Sequence, residues 1–151
     1  MYNVVLTLHN IVRWVIILSG IAATIRGVVG WFRKLEWTDA ERRIGIVFTM
    51  SVDLQLLLGI LLYFVFSDWA LKAILDKGMS FVMGTSEYRF FAIEHGFYML
   101  VGIVSAHLGN ALPKKVADSD KKFKRAALWF GIATFLILIG TPWSRPLFPG
   151  F

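Results

Sequence analysis

Residues 4–31 read VVLTLHNIVRWVIILSGIAATIRGVVGW, an apolar run interrupted by one histidine and two arginines. An α-helix rises about 1.5 Å per residue, so this run is long enough to cross a hydrocarbon core of about 30 Å. Three similar runs follow, at about residues 44–66, 90–112 and 126–142. The four runs predict an all-α, polytopic membrane protein with four transmembrane helices.

The composition supports a lipid environment. Of the 151 residues, 57% are hydrophobic and only 17% are charged, which is more apolar surface than a soluble domain of this size usually buries. We therefore interpret residues 1–151 as a single transmembrane domain whose partner is the lipid bilayer. The chain has no cysteine, which excludes disulfides, iron–sulfur clusters, thiolate zinc sites and covalent c-type haem attachment.

The distribution of Lys and Arg predicts the orientation. A formal net charge of +6 can indicate a nucleic-acid partner, but here the basic residues lie in short loops, where they act as topology signals. The loops after the first and third runs contain Arg33, Lys34, Arg42, Arg43, Lys114, Lys115, Lys121, Lys122, Lys124 and Arg125. The other connection and the tail contain only Lys72, Lys77, Arg89 and Arg145. This asymmetry predicts an up-down-up-down bundle with both termini on the outer side and no nucleic-acid partner.

The connections carry local helix signals. Thr38 and Glu41 have the spacing of a capping box, so the second helix is expected to begin before its apolar run. Asp118 is placed to cap the fourth helix in the same way. Residues 68–77, followed by Gly78, resemble a short amphipathic helix on the outer surface, although a packed loop is equally compatible with the pattern.

Ionisable side chains inside spanning helices are costly and normally face the bundle interior or water. The apolar runs contain His9, Arg13, Arg26, Asp53, Glu94, His95 and His107. His9 and His95 each lie about five residues from the outer end of their helix, so both are expected about 8 Å below the outer interface. The first and third helices run parallel and are diagonal partners in a simple bundle, so the two histidines can face each other.

Two facing imidazoles can occupy both axial positions of a haem iron. Two locally hydrogen-bonded interfacial histidines, a metal ion site and a quinone site are the alternatives. Small residues follow the two helices as Gly20, Ala23 and Gly27 and as Gly102, Ala106 and Gly109. They would leave room for a macrocycle, and they would equally allow close helix packing. His107 lies about 18 Å deeper than His95 and is expected to form an interhelical hydrogen bond.

Arg13 lies one turn from His9, at a depth where an unpaired guanidinium is costly. Its candidate partners are Asp53, Glu94 and a haem propionate. A structural Arg–carboxylate pair is the simplest of these interpretations.

Four motifs carry a resemblance to a known family. They are residues 8–14 (LHNIVRW), 53–59 (DLQLLLG), 89–95 (RFFAIEH) and 141–143 (TPW). Together they resemble a family of small bacterial membrane proteins of about this length, known mainly from Bacteroidetes-like genomes and often labelled cytochrome b. The resemblance covers nearly the whole chain. The residues of this chain that match the motifs are His9, Arg13, Trp14, Gln55, Gly59, Glu94, His95 and Trp143.

The resemblance and the histidine pair together predict a b-type cytochrome-like electron-transfer protein or subunit in the bacterial inner membrane, with periplasmic termini. One haem b would lie between helices 1 and 3, with His9 and His95 as axial ligands and Arg13 beside a propionate or Glu94. A quinone and a larger redox membrane complex are the further partners considered. The alternative is a cofactor-free accessory or assembly subunit of a respiratory or photosynthetic complex. No phosphate-binding loop, dinucleotide turn, nucleophile elbow or HExxH motif occurs, so independent catalytic activity is not expected.

Overall fold

The computed structural model describes residues 1–145, and every regular element in that range is helical. The two N-terminal helices are α1 (Tyr2–Phe32) and α2 (Asp39–Leu61), and α2 continues into a π-helical turn (Leu62–Phe66). The remaining elements are α3 (Leu71–Lys77), α4 (Met79–Gly84), α5 (Ser86–Arg89), a second π-helical turn (Phe90–Glu94), α6 (His95–Ala111), a 3-10 turn (Leu112–Lys115) and α7 (Ser119–Gly140).

Within residues 1–145, four helical segments are long and apolar enough to cross a membrane, and α1, α2, α6 and α7 form their main parts. The predicted all-α class is confirmed, and the number of helices that are long and apolar enough to span a membrane agrees with the predicted four. The chain therefore fits a multi-pass membrane protein, while its orientation in a bilayer stays a prediction.

Both predicted helix caps are present. The Thr38 hydroxyl accepts a hydrogen bond from the Ala40 N–H, and the Glu41 carboxylate accepts one from the Thr38 N–H at 3.0 Å. The Asp118 carboxylate accepts from the Lys121 N–H at 2.9 Å. These side chains satisfy backbone donors that a helix start leaves unpaired, so α2 and α7 begin several residues before their apolar runs.

The four long helices occupy the corners of a bundle. Helix α1 packs against α2 and α7, and α6 packs against the same two helices, so α1 and α6 lie at opposite corners. This arrangement agrees with the diagonal placement of the first and third spanning helices that the sequence predicts. It brings one face of α1 and one face of α6 toward the same interior space.

Aromatic side chains fill the middle of the bundle. Phe48 and Phe130 are buried, with ring centroids 5.7 Å apart. A Cβ atom on Gly20 would come within 2.9 Å of the Phe48 ring, and one on Gly109 within 2.6 Å of the Phe130 ring. The small residues along α1 and α6 therefore make room for neighbouring side chains. The suggestion that they leave space for a macrocycle is wrong at these positions.

The connection between α2 and α6 folds into a packed unit, which we call the connecting cap (residues 67–89). Helix α3 spans Leu71–Lys77, so the predicted amphipathic helix is present but begins three residues later than expected. It ends at Gly78, whose φ of +83° is a conformation that glycine adopts readily. The Trp69 ring stacks on the Tyr88 ring with centroids 4.7 Å apart, so the first residues of the connecting cap contact its last residues.

Candidate functional site

The structure brings the two predicted histidines together. His9 lies in the second turn of α1, and His95 is the first residue of α6, directly after the π-helical turn. Their ring centroids are 6.4 Å apart, and the ring planes are inclined at 62°. Two side chains separated by 86 positions thus meet between diagonal helices, as their matched depth indicates.

His95 is held by the end of α7. Its Nδ1 atom lies 2.7 Å from the Gly140 carbonyl oxygen. A carbonyl can only accept, so Nδ1 carries the proton, and in the neutral ring Nε2 keeps a free lone pair. Metal-binding histidines are commonly oriented by this kind of hydrogen bond. The arrangement leaves the lone pair of His95 Nε2 available to a ligand.

The His9 ring sits in a polar but incompletely satisfied environment. The Gln55 amide donates to the His9 backbone carbonyl at 3.0 Å, which joins α2 to α1 at this level. Within the part of the chain that the structure describes, the buried atoms His9 Nδ1 and Gln55 Oε1 have no hydrogen-bond partner. A buried polar atom without a partner costs roughly 1–3 kcal/mol, so two of them at one level are an unusual feature of the bundle interior.

Arg13 is buried one turn further along α1, with 6% of its surface exposed. The two carboxylates considered as its partners have other contacts. Glu94 accepts from the Arg89 Nε–H at 2.6 Å, and Asp53 is hydrogen-bonded to His107 at 2.8 Å. The structure therefore gives each of these carboxylates another partner, and a pair between Arg13 and either of them stays a prediction.

Aromatic and small residues line the histidine level. The Phe90 and Phe91 rings lie 5.9 and 6.5 Å from the His95 ring. On the opposite side, a Cβ on Gly59 would be 3.6 Å from His9 Cε1, so the α2 backbone passes close to that imidazole. The walls of the site are thus apolar, and its polar atoms come from a few convergent groups.

Two features of this site were not predicted from the sequence. The Gly140 carbonyl is free to accept because α7 ends at this residue. Pro142 is the sequence signal for that helix end, since proline cannot continue a helix. The π-helical turn Phe90–Glu94 before His95 has no equivalent sequence signal. Such turns occur frequently at functional sites because they reorient the following side chains.

His107 and Asp53 form a second polar pair. Their side-chain contact of 2.8 Å joins α6 to α2, so the prediction of an interhelical hydrogen bond by His107 is confirmed. Both side chains are about half exposed on the outside of the bundle. This pair therefore lies apart from the interior level of His9 and His95.

A cavity of about 440 Å³, which was not predicted from the sequence, opens at the other end of the bundle. Its lining includes Arg42, Lys114 and Lys122 together with Trp37 and Phe130. Glu41 also borders this cavity, where it forms an ion pair with Arg26. The lining thus mixes charged and aromatic side chains and contains none of the predicted ligands.

Among residues 1–145, no group of three or more His, Cys, Asp and Glu side chains is arranged to hold a metal ion. Comparison of the chain with known protein families, with curated proteins and with solved structures finds no match.

Proposed function

We propose that this chain is a b-type cytochrome-like membrane electron-transfer protein or subunit that binds one haem between α1 and α6. His9 and His95 are the proposed axial ligands. The observation that carries the proposal is the 6.4 Å separation of their rings. Bonds of about 2 Å from two imidazoles to one metal ion between them place the ring centres roughly 6 Å apart.

The small number of donors favours haem over a bare metal ion. Protein zinc sites use three or four side-chain ligands, and no cluster of three candidate ligands occurs within residues 1–145. A haem iron already has four pyrrole nitrogens and needs only axial ligands from the protein. Two imidazoles without a third donor are therefore sufficient for a haem and insufficient for a typical zinc site.

The surrounding residues have defined roles under this proposal. The Gly140 carbonyl fixes the orientation and tautomer of His95, and the Phe90 and Phe91 rings limit the access of water. The buried Arg13 guanidinium is one turn from His9 and is suited to a propionate. When bound, the haem would supply one-electron transfer. The filled core around Phe48 and Phe130 restricts the site to the level of the histidines.

The visible spectrum of the full chain, purified from haem-replete cells, tests the proposal. We expect a low-spin spectrum that is abolished by His9→Ala and by His95→Ala. His107→Gln is the matched control, because it removes a histidine from the same bundle away from the site. An unchanged low-spin spectrum after loss of either proposed ligand would contradict the assignment.

Arg13→Ala provides an independent check. It should weaken or shift the haem signal without removing either ligand, because the guanidinium contributes charge and not an axial bond. Tight zinc binding at neutral pH that requires His9 and His95 would instead indicate a metal ion site.

A second candidate function is a cofactor-free accessory or assembly subunit of a larger membrane complex, as the sequence also allows. The close packing in the middle of the bundle favours it, since side chains already fill the space beside the glycines of α1 and α6. A colourless preparation from haem-replete cells, with the bundle folded, would support this candidate over the first.

A further inference from the structure

Asp53 and His107 lie on the outside of the bundle, across the seam between α2 and α6. Their side chains are 51% and 49% exposed, although they are hydrogen-bonded to each other at 2.8 Å. The residues around them on the same face are large, apolar and exposed, namely Met50, Leu57, Leu100 and Val104. We call these six residues the α2–α6 face.

The depth of this pair makes its exposure costly. His107 precedes Lys114 by seven residues, and Asp53 follows Arg43 by ten residues. At about 1.5 Å per residue, the pair lies roughly 10–15 Å from these basic side chains, inside the apolar part of each helix. Ionisable groups at such a depth normally face protein or water, because exposure to lipid is strongly unfavourable. A second protein surface over the α2–α6 face would remove this exposure to lipid.

The pair is complementary to a copy of itself. It combines one imidazole with one carboxylate, and its internal hydrogen bond uses one ring nitrogen and one carboxylate oxygen. When the other ring nitrogen carries an N–H it can donate, and the other carboxylate oxygen can accept. A two-fold axis beside the pair would place His107 of one copy against Asp53 of the second copy, and the reverse.

We propose that the α2–α6 face is the interface of a membrane-embedded dimer of this chain. A different partner would need its own hydrogen-bond donor and acceptor at the same depth, whereas a second copy supplies an imidazole and a carboxylate there. The flanking apolar side chains would then pack across the interface, and the four polar groups would form a closed ring of hydrogen bonds. The inference uses the membrane placement in the proposed function and is independent of haem binding.

The absence of native cysteine makes cross-linking a direct test. In membranes containing the full chain, Met50→Cys and Leu57→Cys on the α2–α6 face should each give a cross-linked dimer with a short bifunctional thiol reagent. Leu18→Cys on α1 and Phe135→Cys on α7 are matched controls, because those side chains are 64% and 62% exposed on other faces. A cross-linked dimer at both control positions, or none on the α2–α6 face, would overturn the proposal.

Substitution of the polar pair provides the second test. In chains that carry Met50→Cys, Asp53→Leu and His107→Leu should each weaken dimerisation by about tenfold or more. Each substitution removes the two hydrogen bonds between the copies. The exchange Asp53→His with His107→Asp keeps both groups and should restore dimerisation. If the single variants lower only thermal stability and leave cross-linking unchanged, the pair acts within one chain and the proposal is wrong. The haem spectrum, which depends on His9 and His95, is measured separately, so failure of one proposal is distinguishable from failure of the other.

Discussion

The close approach of α1 and α7 can be tested by adding a single methyl group. A Cβ on Gly27 would lie 2.8 Å from the backbone nitrogen of Ala127 and 2.9 Å from its Cα atom. Those atoms belong to the backbone of α7, so the helices must separate to accept the methyl group. Overpacking of this kind costs about 3 kcal/mol at the upper end of the usual range, and the gain in helix propensity from Gly to Ala offsets about 1 kcal/mol of it.

We therefore expect Gly27→Ala to lower the free energy of unfolding by about 2 kcal/mol. Gly131→Ala on α7 is the matched control, because its Cβ would be 3.7 Å from Thr24 Cγ2, an ordinary contact. The control should gain about 1 kcal/mol from helix propensity alone. The two variants should thus differ by about 3 kcal/mol when denaturant unfolding of the full chain is measured in mixed micelles.

Equal stability of the two alanine variants would refute this reasoning. It would mean that α1 and α7 can separate there at little cost, so that the small residues of α1 leave usable space. Space for a macrocycle beside the small residues of α1 would then be the better interpretation, and close helix packing the poorer one. Two glycine substitutions therefore distinguish the two uses of small residues that the sequence leaves open.

Three further predictions concern the rest of the chain. Reporter fusions after Lys115 should indicate the cytoplasm and fusions after Lys77 the outer side; the reverse pattern would invert the predicted orientation. Glu41→Ala should lower the free energy of unfolding by about 1–2 kcal/mol, because it removes a capping hydrogen bond and an ion pair, whereas Glu36→Ala at an exposed position should change it little. His107→Gln should leave any haem spectrum intact, and its loss on that change alone would overturn the assigned ligands.

Much of the fold could be predicted because its signals are local. The number of spanning helices follows from hydropathy, and the starts of α2 and α7 follow from the capping chemistry of Thr38 and Asp118. The apolar runs alone place the fourth helix seven residues too late, since its first turns are polar and extend beyond the apolar run. Helix boundaries are thus better predicted from caps than from hydropathy.

The candidate site was predictable only in part. The matched depth of His9 and His95 is a property of helix length and connection order, so it can be worked out from the sequence. The acceptor for His95 is the Gly140 carbonyl, 45 positions away, which is free because α7 ends there. Every residue has a backbone carbonyl, so the sequence does not mark this one. The role of Gly20 and Gly109 depends on where Phe48 and Phe130 insert, which only the packed bundle decides.

Polar side chains lie at two levels of the bundle, and each level lacks something different. The interior level lacks hydrogen-bond partners, and the surface level lacks cover from lipid. At the interior level, His9 Nδ1 and Gln55 Oε1 lack hydrogen-bond partners within residues 1–145, so a group that enters the bundle would satisfy them. At the surface level, Asp53 and His107 satisfy each other but remain half exposed at a depth expected to be apolar, so a second chain would cover them. The two levels lie about 18 Å apart along α6 and share no side chain. One bound group therefore cannot contact both. Cofactor binding and dimerisation should therefore respond to separate substitutions: loss of His95 should leave cross-linking intact, and loss of Asp53 should leave the spectrum intact.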